Sequence, residues 1–151
     1  MSGEGINIHA SAVVVGTCGL LIVGRSSSGK STLALALVDA AVKAGEFGAL
    51  VSDDRVDITF AGGRIVARAP ATIRGLAEIR GAGIVRVETC PAAVLHLAIR
   101  PVDPSQEARL PPEEERFAIV ADRTLPLVRL PHAARDPLAV LRRLLPGPAR
   151  S

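Results

Sequence analysis

Apolar and polar positions along the chain follow two rhythms. Short aliphatic or β-branched runs occupy residues 6–15 (INIHASAVVV), 20–23 (LLIV) and 49–52 (ALVS), bounded by glycines or charged residues. Runs of this length predict strands, and those without alternation predict strands buried on both faces. Residues 16–19 (GTCG) predict a tight turn. Over residues 30–44 the apolar positions recur at helical spacing in an Ala/Leu-rich stretch, which predicts a helix stopped by Gly45. Residues 56–60 and 64–67 alternate around Gly62-Gly63 and predict a hairpin. Residues 69–83, punctuated by Pro and Gly, predict a loop with one helical turn. Residues 84–87, 94–99, 117–120 and 125–130 predict strands. The polar, Pro-rich stretch 101–115 predicts a mobile excursion. Residues 137–145 predict a closing helix with Pro137 in its first turn. No repeat or compositional break divides the chain, so one domain over residues 1–151 is expected. Strands outnumber helices, and the expected fold is α/β, a mixed sheet wrapped around a central helix.

Composition narrows the function classes. The 151 residues are 48% hydrophobic but only 2% aromatic, with neither Trp nor Tyr. The core must be aliphatic, and no aromatic platform for stacking bases is expected. The formal charge is +3, and only Lys30 and Lys43 of the basic residues are lysines. The arginines are scattered, which argues against a nucleic-acid partner. No apolar stretch approaches the roughly 18 residues that span a bilayer. The opening residues MSGEG lack the basic and apolar regions of a signal peptide. The expected setting is the cytoplasm, with no membrane partner. Cys18 and Cys90 have no metal-site spacing and are expected to be buried thiols in a reducing compartment.

Chemistry enters at Gly24, Arg25, Ser26, Ser27, Ser28, Gly29, Lys30 and Ser31, followed by Thr32. This run fits G-x-x-x-x-G-K-[ST] without a mismatch, between a predicted strand and a predicted helix. In that context the loop's N–H groups and the helix's positive end cradle phosphates. Lys30 is expected to reach the β- and γ-phosphates and the Ser31 hydroxyl to ligate Mg²⁺. Asp53-Asp54 ends the next short apolar run. Strands in that position tend to run beside the cradle, where two adjacent carboxylates can divide metal-holding from proton transfer. Taken alone, the pair reads equally well as a solvated turn before the hairpin. His9, taken alone, reads as structural or merely exposed.

Four blocks together carry a family resemblance: Ile8-His9-Ala10-Ser11, the phosphate loop, the run VSDDRV at 51–56, and IRGLAEIRGAGIV at 73–85. The chain resembles the catalytic domain of HPr kinase/phosphorylase, in particular its short alphaproteobacterial form. The last block is the specific one. The resemblance implies the fold of that domain, ATP and Mg²⁺ as nucleotide and metal, and transfer of phosphate to a serine of the phosphocarrier protein HPr. Phosphorolysis of the phosphoserine is a second direction that it leaves open. It implies Asp53 as base toward the serine, His9 tuning that acid, Lys30 neutralising the transferring phosphate, Ser31 and Glu78 as metal ligands, and Arg109 as an arginine on a mobile loop. It also implies a closed homo-oligomer, a hexamer in the family. Two rivals stand beside it: a P-loop kinase of a small hydroxyl metabolite, and a nucleotide-binding regulatory module without turnover.

Overall fold

Consecutive apolar residues in an extended chain point to both faces of a sheet, so runs such as AVVV and LLIV belong in its interior. The computed structural model describes residues 5–25, 29–73, 75–79, 83–86, 88–106 and 113–145. In chain order its elements are β1 (Ile6–Ile8), β2 (Ala10–Val15), β3 (Cys18–Val23), α1 (Lys30–Lys43), β4 (Gly48–Ser52), β5 (Val56–Ala61), β6 (Arg64–Arg68), β7 (Leu76–Ile79), β8 (Gly83–Arg86), β9 (Ala92–Val102), β10 (Arg116–Val120), β11 (Arg123–Pro131) and α2 (Pro137–Leu144).

Nine strands form one mixed sheet in the order β1-β5-β6-β9-β3-β2-β4, with β11 also on β9 and β10 on β11. The long β9 serves two neighbourhoods. Its first residues pair with β6, and its last pair with β11. β3 and β11 both run parallel to β9. β2 is antiparallel to β3 on one side and to β4 on the other, so β4 points the same way as β3. The carboxyl ends of β3, β4, β9 and β11 therefore open on one edge, where open α/β sheets hold their ligands.

Side-chain alternation splits the core in two. Val13, Val15, Leu20, Ile22, Leu97 and Ile99 face α1 and α2, where Leu33, Leu37, Leu138 and Leu141 meet them. Ala12, Val14, Leu21, Val23, Leu95 and Ala98 face the other way and are covered by Val56, Ile58, Ile65 and Ala67 of the sheet's own curled margin. Helix α1 buries Lys30, Leu33, Ala34, Leu37 and Ala41, one stripe at three- and four-residue spacing. It ends in a Schellman turn. Glu46 N–H donates to the Ala41 carbonyl at 2.9 Å and Gly45 N–H to that of Val42 at 3.0 Å, with Gly45 at φ 80°. At α2 the Asp136 carboxylate caps the Ala139 N–H at 3.1 Å, with Pro137 in the first turn.

Three expectations are corrected. Residues 6–15 are two strands broken at His9, because β1 leaves the central strands to pair with β5. Residues 69–83 are more than loop. Besides a 3₁₀ turn at Ala71–Ile73 they contain β7, which pairs with β8 in a separate hairpin with Gly75 and Gly83 at positive φ. The strand at 94–99 is longer, 11 residues, because three different neighbours prolong it. Of the segment 101–115, Pro101 and Val102 close β9 and Pro104–Gln106 form a 3₁₀ turn, while residues 107–112 lie outside the described residues.

Candidate active site

The cradle begins where β3 stops. Gly24 leaves the strand at φ 141°, a conformation open to glycine, and Gly29 caps α1 at φ 90°. Ser26, Ser27 and Ser28 lie outside the described residues. Lys30 is 4% exposed, and its Nζ donates to the Gly24 and Arg25 carbonyls, each at 3.0 Å. The ammonium is thus held against the loop. Burial pulls its pKa below the usual lysine range, opposed by the negative charges of Asp54 and Asp53. Thr32 follows on the first turn of α1, at the wall of the groove described below.

The carboxylates arrive at the cradle from the end of β4. β2 lies between β3 and β4. β2 starts at the edge where β3 and β4 end, so its first residues enter the site. Asp53 is 5% exposed, and its Oδ1 accepts the Ser31 hydroxyl at 2.6 Å and the Ser11 hydroxyl at 2.8 Å. Asp54 turns outward through a left-handed backbone at φ 68°, which costs about 1 kcal/mol in a non-glycine residue and is least costly for Asn or Asp. That turn is pinned on both sides. The Asp54 carbonyl accepts the Ala10 N–H at 3.1 Å, and the Asp54 N–H donates to Ser11 Oγ at 3.1 Å. The outward carboxylate then meets His9, with Nε2 to Oδ1 at 3.3 Å. The β1/β2 break aims His9 there. The backbone reversal after Asp53 brings the following carboxylate, Asp54, to the imidazole.

On the other side of the cradle a groove of about 740 Å³ runs along the ends of β9 and β11, with Gly24, Arg25, Thr32, Arg100 and His132 in its walls. Arg100 is steadied from behind. Glu115 accepts two 2.9 Å bonds from Arg129 and lies 3.6 Å from Arg100. The Arg129 hydrogen bond is the main reason the Glu115 carboxyl titrates below the usual range, with the positive charges of Arg129 and Arg100 adding to it.

Lys30, Ser31, Asp53 and His9 thus meet at one edge. Glu78 lies on β7, opposite Ile84, in a strand that touches α1. Arg109 falls outside the described residues. Sequence reasoning gave Ser11, Arg100 and Glu115 no site role, and placed Asp54 only as one of the paired carboxylates. A serine inside an otherwise apolar, doubly buried strand was a usable signal for Ser11. Arg100 and Glu115 had none, because only the parallel pairing of β9 with β11 brings them to the cradle. Cys18 and Cys90, expected to be buried, are half-buried free thiols.

A glycine-lysine turn opening a helix, a buried carboxylate bonded to the serine after the lysine, and a groove beside both make an α/β domain with the arrangement that suits phosphate at a helix start. Residues 3–93 match the model of the HPr Serine kinase C-terminal domain, and the chain belongs to that family. HPr kinase/phosphorylase of Azoarcus sp. (strain BH72) is 33% identical over 150 residues, covering 91% of this chain and 46% of that protein. The protein of the same name from Clostridium beijerinckii is 42% identical over 82 residues, 54% of this chain and 25% of that one. The chain therefore spans less than half the length of these relatives. The solved Hpr(Ser) kinase/phosphatase from Coxiella burnetii superposes with a TM-score of 0.72 at 26% identity, over 92% of this chain and 91% of that one. The mixed, curled α/β architecture agrees with it.

Proposed function

We propose that this chain is an ATP- and Mg²⁺-dependent serine kinase whose substrate is the phosphocarrier protein HPr of a phosphotransferase system. The observation that carries the reading is the 2.6 Å bond from the Ser31 hydroxyl to buried Asp53, beside Lys30 and one residue from the His9–Asp54 pair. The Ser31 O–H donates to Asp53, so the hydroxyl oxygen's lone pairs remain for a cation. Hydroxyl and carboxylate oxygens are the hard donors Mg²⁺ prefers. Ser31 and Asp53 would hold that ion, with Glu78 as a further ligand, and when bound it neutralises phosphate charge.

Asp53 is the poor choice for the base, because it is buried and already accepts two hydroxyl protons. Asp54 is the better one. It is half-exposed, sits at the acceptor side of the cradle, and is oriented by His9. In the forward direction Asp54 takes the proton of the substrate serine hydroxyl. That oxygen bonds the γ-phosphorus while the β–γ bridging bond breaks, and ADP leaves with the bridging oxygen. Lys30 leaves the Gly24 and Arg25 carbonyls to meet the transferring phosphate. The nucleoside end lies in the groove beside Arg25 and Thr32, and Arg109 is the further arginine that the family resemblance implies. In phosphorolysis the same groups run backward, with inorganic phosphate attacking the phosphoserine to release pyrophosphate. We extend the proposal to a cytoplasmic homo-oligomer, a hexamer by family resemblance. Among the described residues no helix is long and apolar enough to cross a membrane.

The test is incubation of the pure chain with ATP, Mg²⁺ and HPr, with phosphoserine sought by mass spectrometry. Phosphoserine on HPr supports the reading. Phosphorylation of a small hydroxyl compound instead, or nucleotide binding without transfer to any acceptor, overturns it.

A further inference from the structure

We propose that Ser11 is a positioning residue that locks the two carboxylates into their separate roles. The proposal rests on the kinase reading above and adds a residue to it. β2 is apolar except at this position, and Ser11 is fully buried within it. A buried hydroxyl needs partners, and this one has two that point in opposite chemical senses. Its single proton goes to Asp53 Oδ1 at 2.8 Å, and its oxygen accepts the Asp54 N–H at 3.1 Å. The first bond shares Oδ1 with Ser31 and so fixes the carboxylate that faces the metal side. The second holds the peptide at which the chain reverses into the left-handed turn, and that turn points the next carboxylate at His9. One side chain therefore sets the orientation of one acid directly and of its neighbour through the backbone. Its hydrogen bonds go to Asp53 and Asp54, and it does not line the groove, so nucleotide affinity should depend little on it. Alanine at this position leaves Asp53 one hydroxyl short and the Asp54 amide without its acceptor.

The experiment compares Ser11→Ala, Ser11→Thr and Ser11→Val in the full chain. Thr and Val have nearly equal volume and differ in the hydroxyl. Removing a hydrogen bond to a charged group lowers kcat about tenfold or more, with KM for ATP within about threefold of wild type. Ser11→Val and Ser11→Ala should show this loss, and Ser11→Thr should turn over about tenfold faster than Ser11→Val. Amide hydrogen exchange at Asp54, followed by NMR without nucleotide or metal, should quicken in the Ala and Val variants and stay slow in Thr. Equal turnover of the Thr and Val variants, or unchanged exchange at Asp54 in the Ala variant, overturns the proposal. If the wild type transfers nothing to HPr, the kinase reading fails, and the exchange measurement alone decides whether Ser11 clamps the turn.

Discussion

Asp54→Asn and Asp53→Asn should damage the enzyme in different ways, and the difference follows from what each carboxylate touches. Asp54 is 55% exposed and its carboxylate meets His9; it has no bond to Lys30 or Ser31. Asn is at ease at φ 68°, so the turn survives the change and only proton acceptance is lost. A positioned general base contributes about 10²- to 10⁴-fold, or roughly 3–5 kcal/mol. Asp54→Asn should therefore lower kcat by that factor while nucleotide affinity stays within about threefold. Asp53 instead accepts two hydroxyl protons on one charged oxygen. In Asn the acceptor is neutral, and each of the two bonds weakens by about 1 kcal/mol, the gap between charged and neutral hydrogen bonds. Those two internal bonds together cost about 2 kcal/mol of stability, and losing a charged ligand from the proposed ion shell should raise the Mg²⁺ concentration for half-saturation by roughly tenfold or more. The assay is steady-state phosphorylation of HPr at varied ATP and Mg²⁺, with a fluorescent-nucleotide titration for affinity. The reasoning is refuted if Asp54→Asn keeps kcat within about threefold while Asp53→Asn, at saturating Mg²⁺, loses the larger factor. That result would restore Asp53 as the base, as the family resemblance first implied.

Three further outcomes concern the scaffold. A Cβ on Gly19 would sit 2.0 Å from the Val94 carbonyl oxygen of the neighbouring strand; Gly19→Ala should cost about 2–3 kcal/mol and lower Tm by roughly 5–10 °C in calorimetry. A Tm within about 1 °C of wild type would mean the two strands are not in this register. Glu115 titrates below its ordinary range because Arg129 hydrogen-bonds it; its contribution is present above the ordinary carboxylate pKa and is lost as pH falls through the depressed folded value. Wild type should thus exceed Glu115→Gln in urea midpoint at neutral pH, and the gap should close as acid protonates Glu115. A gap that does not change with pH would contradict the ion pair. Asp136→Ala removes the cap on the Ala139 N–H and should cost about 1 kcal/mol by urea denaturation; an unchanged midpoint would show that the cap adds nothing.

The local signals read best where one segment decides its own fate. Helix α1 and its Gly45 stop, the Gly62-Gly63 hairpin and the α2 start at Pro137 all follow from spacing, turn chemistry and capping within a few residues. The four motif blocks carried the family as well, because their residue types are tied to one chemistry.

Tertiary structure decided what depends on which strands become neighbours. The insertion of β2 between β3 and β4 brings Ser11 and His9 to the carboxylates. The break at His9 arises because β1 pairs with β5, some fifty residues on. The same pairing logic swings Asp54, rather than Asp53, onto the imidazole. Periodicity reports which face a residue takes, whereas hydrogen bonds between distant strands choose its partner and its register. For this chain the residue types announce a phosphate-handling edge, and strand order decides which partners each acid on that edge meets.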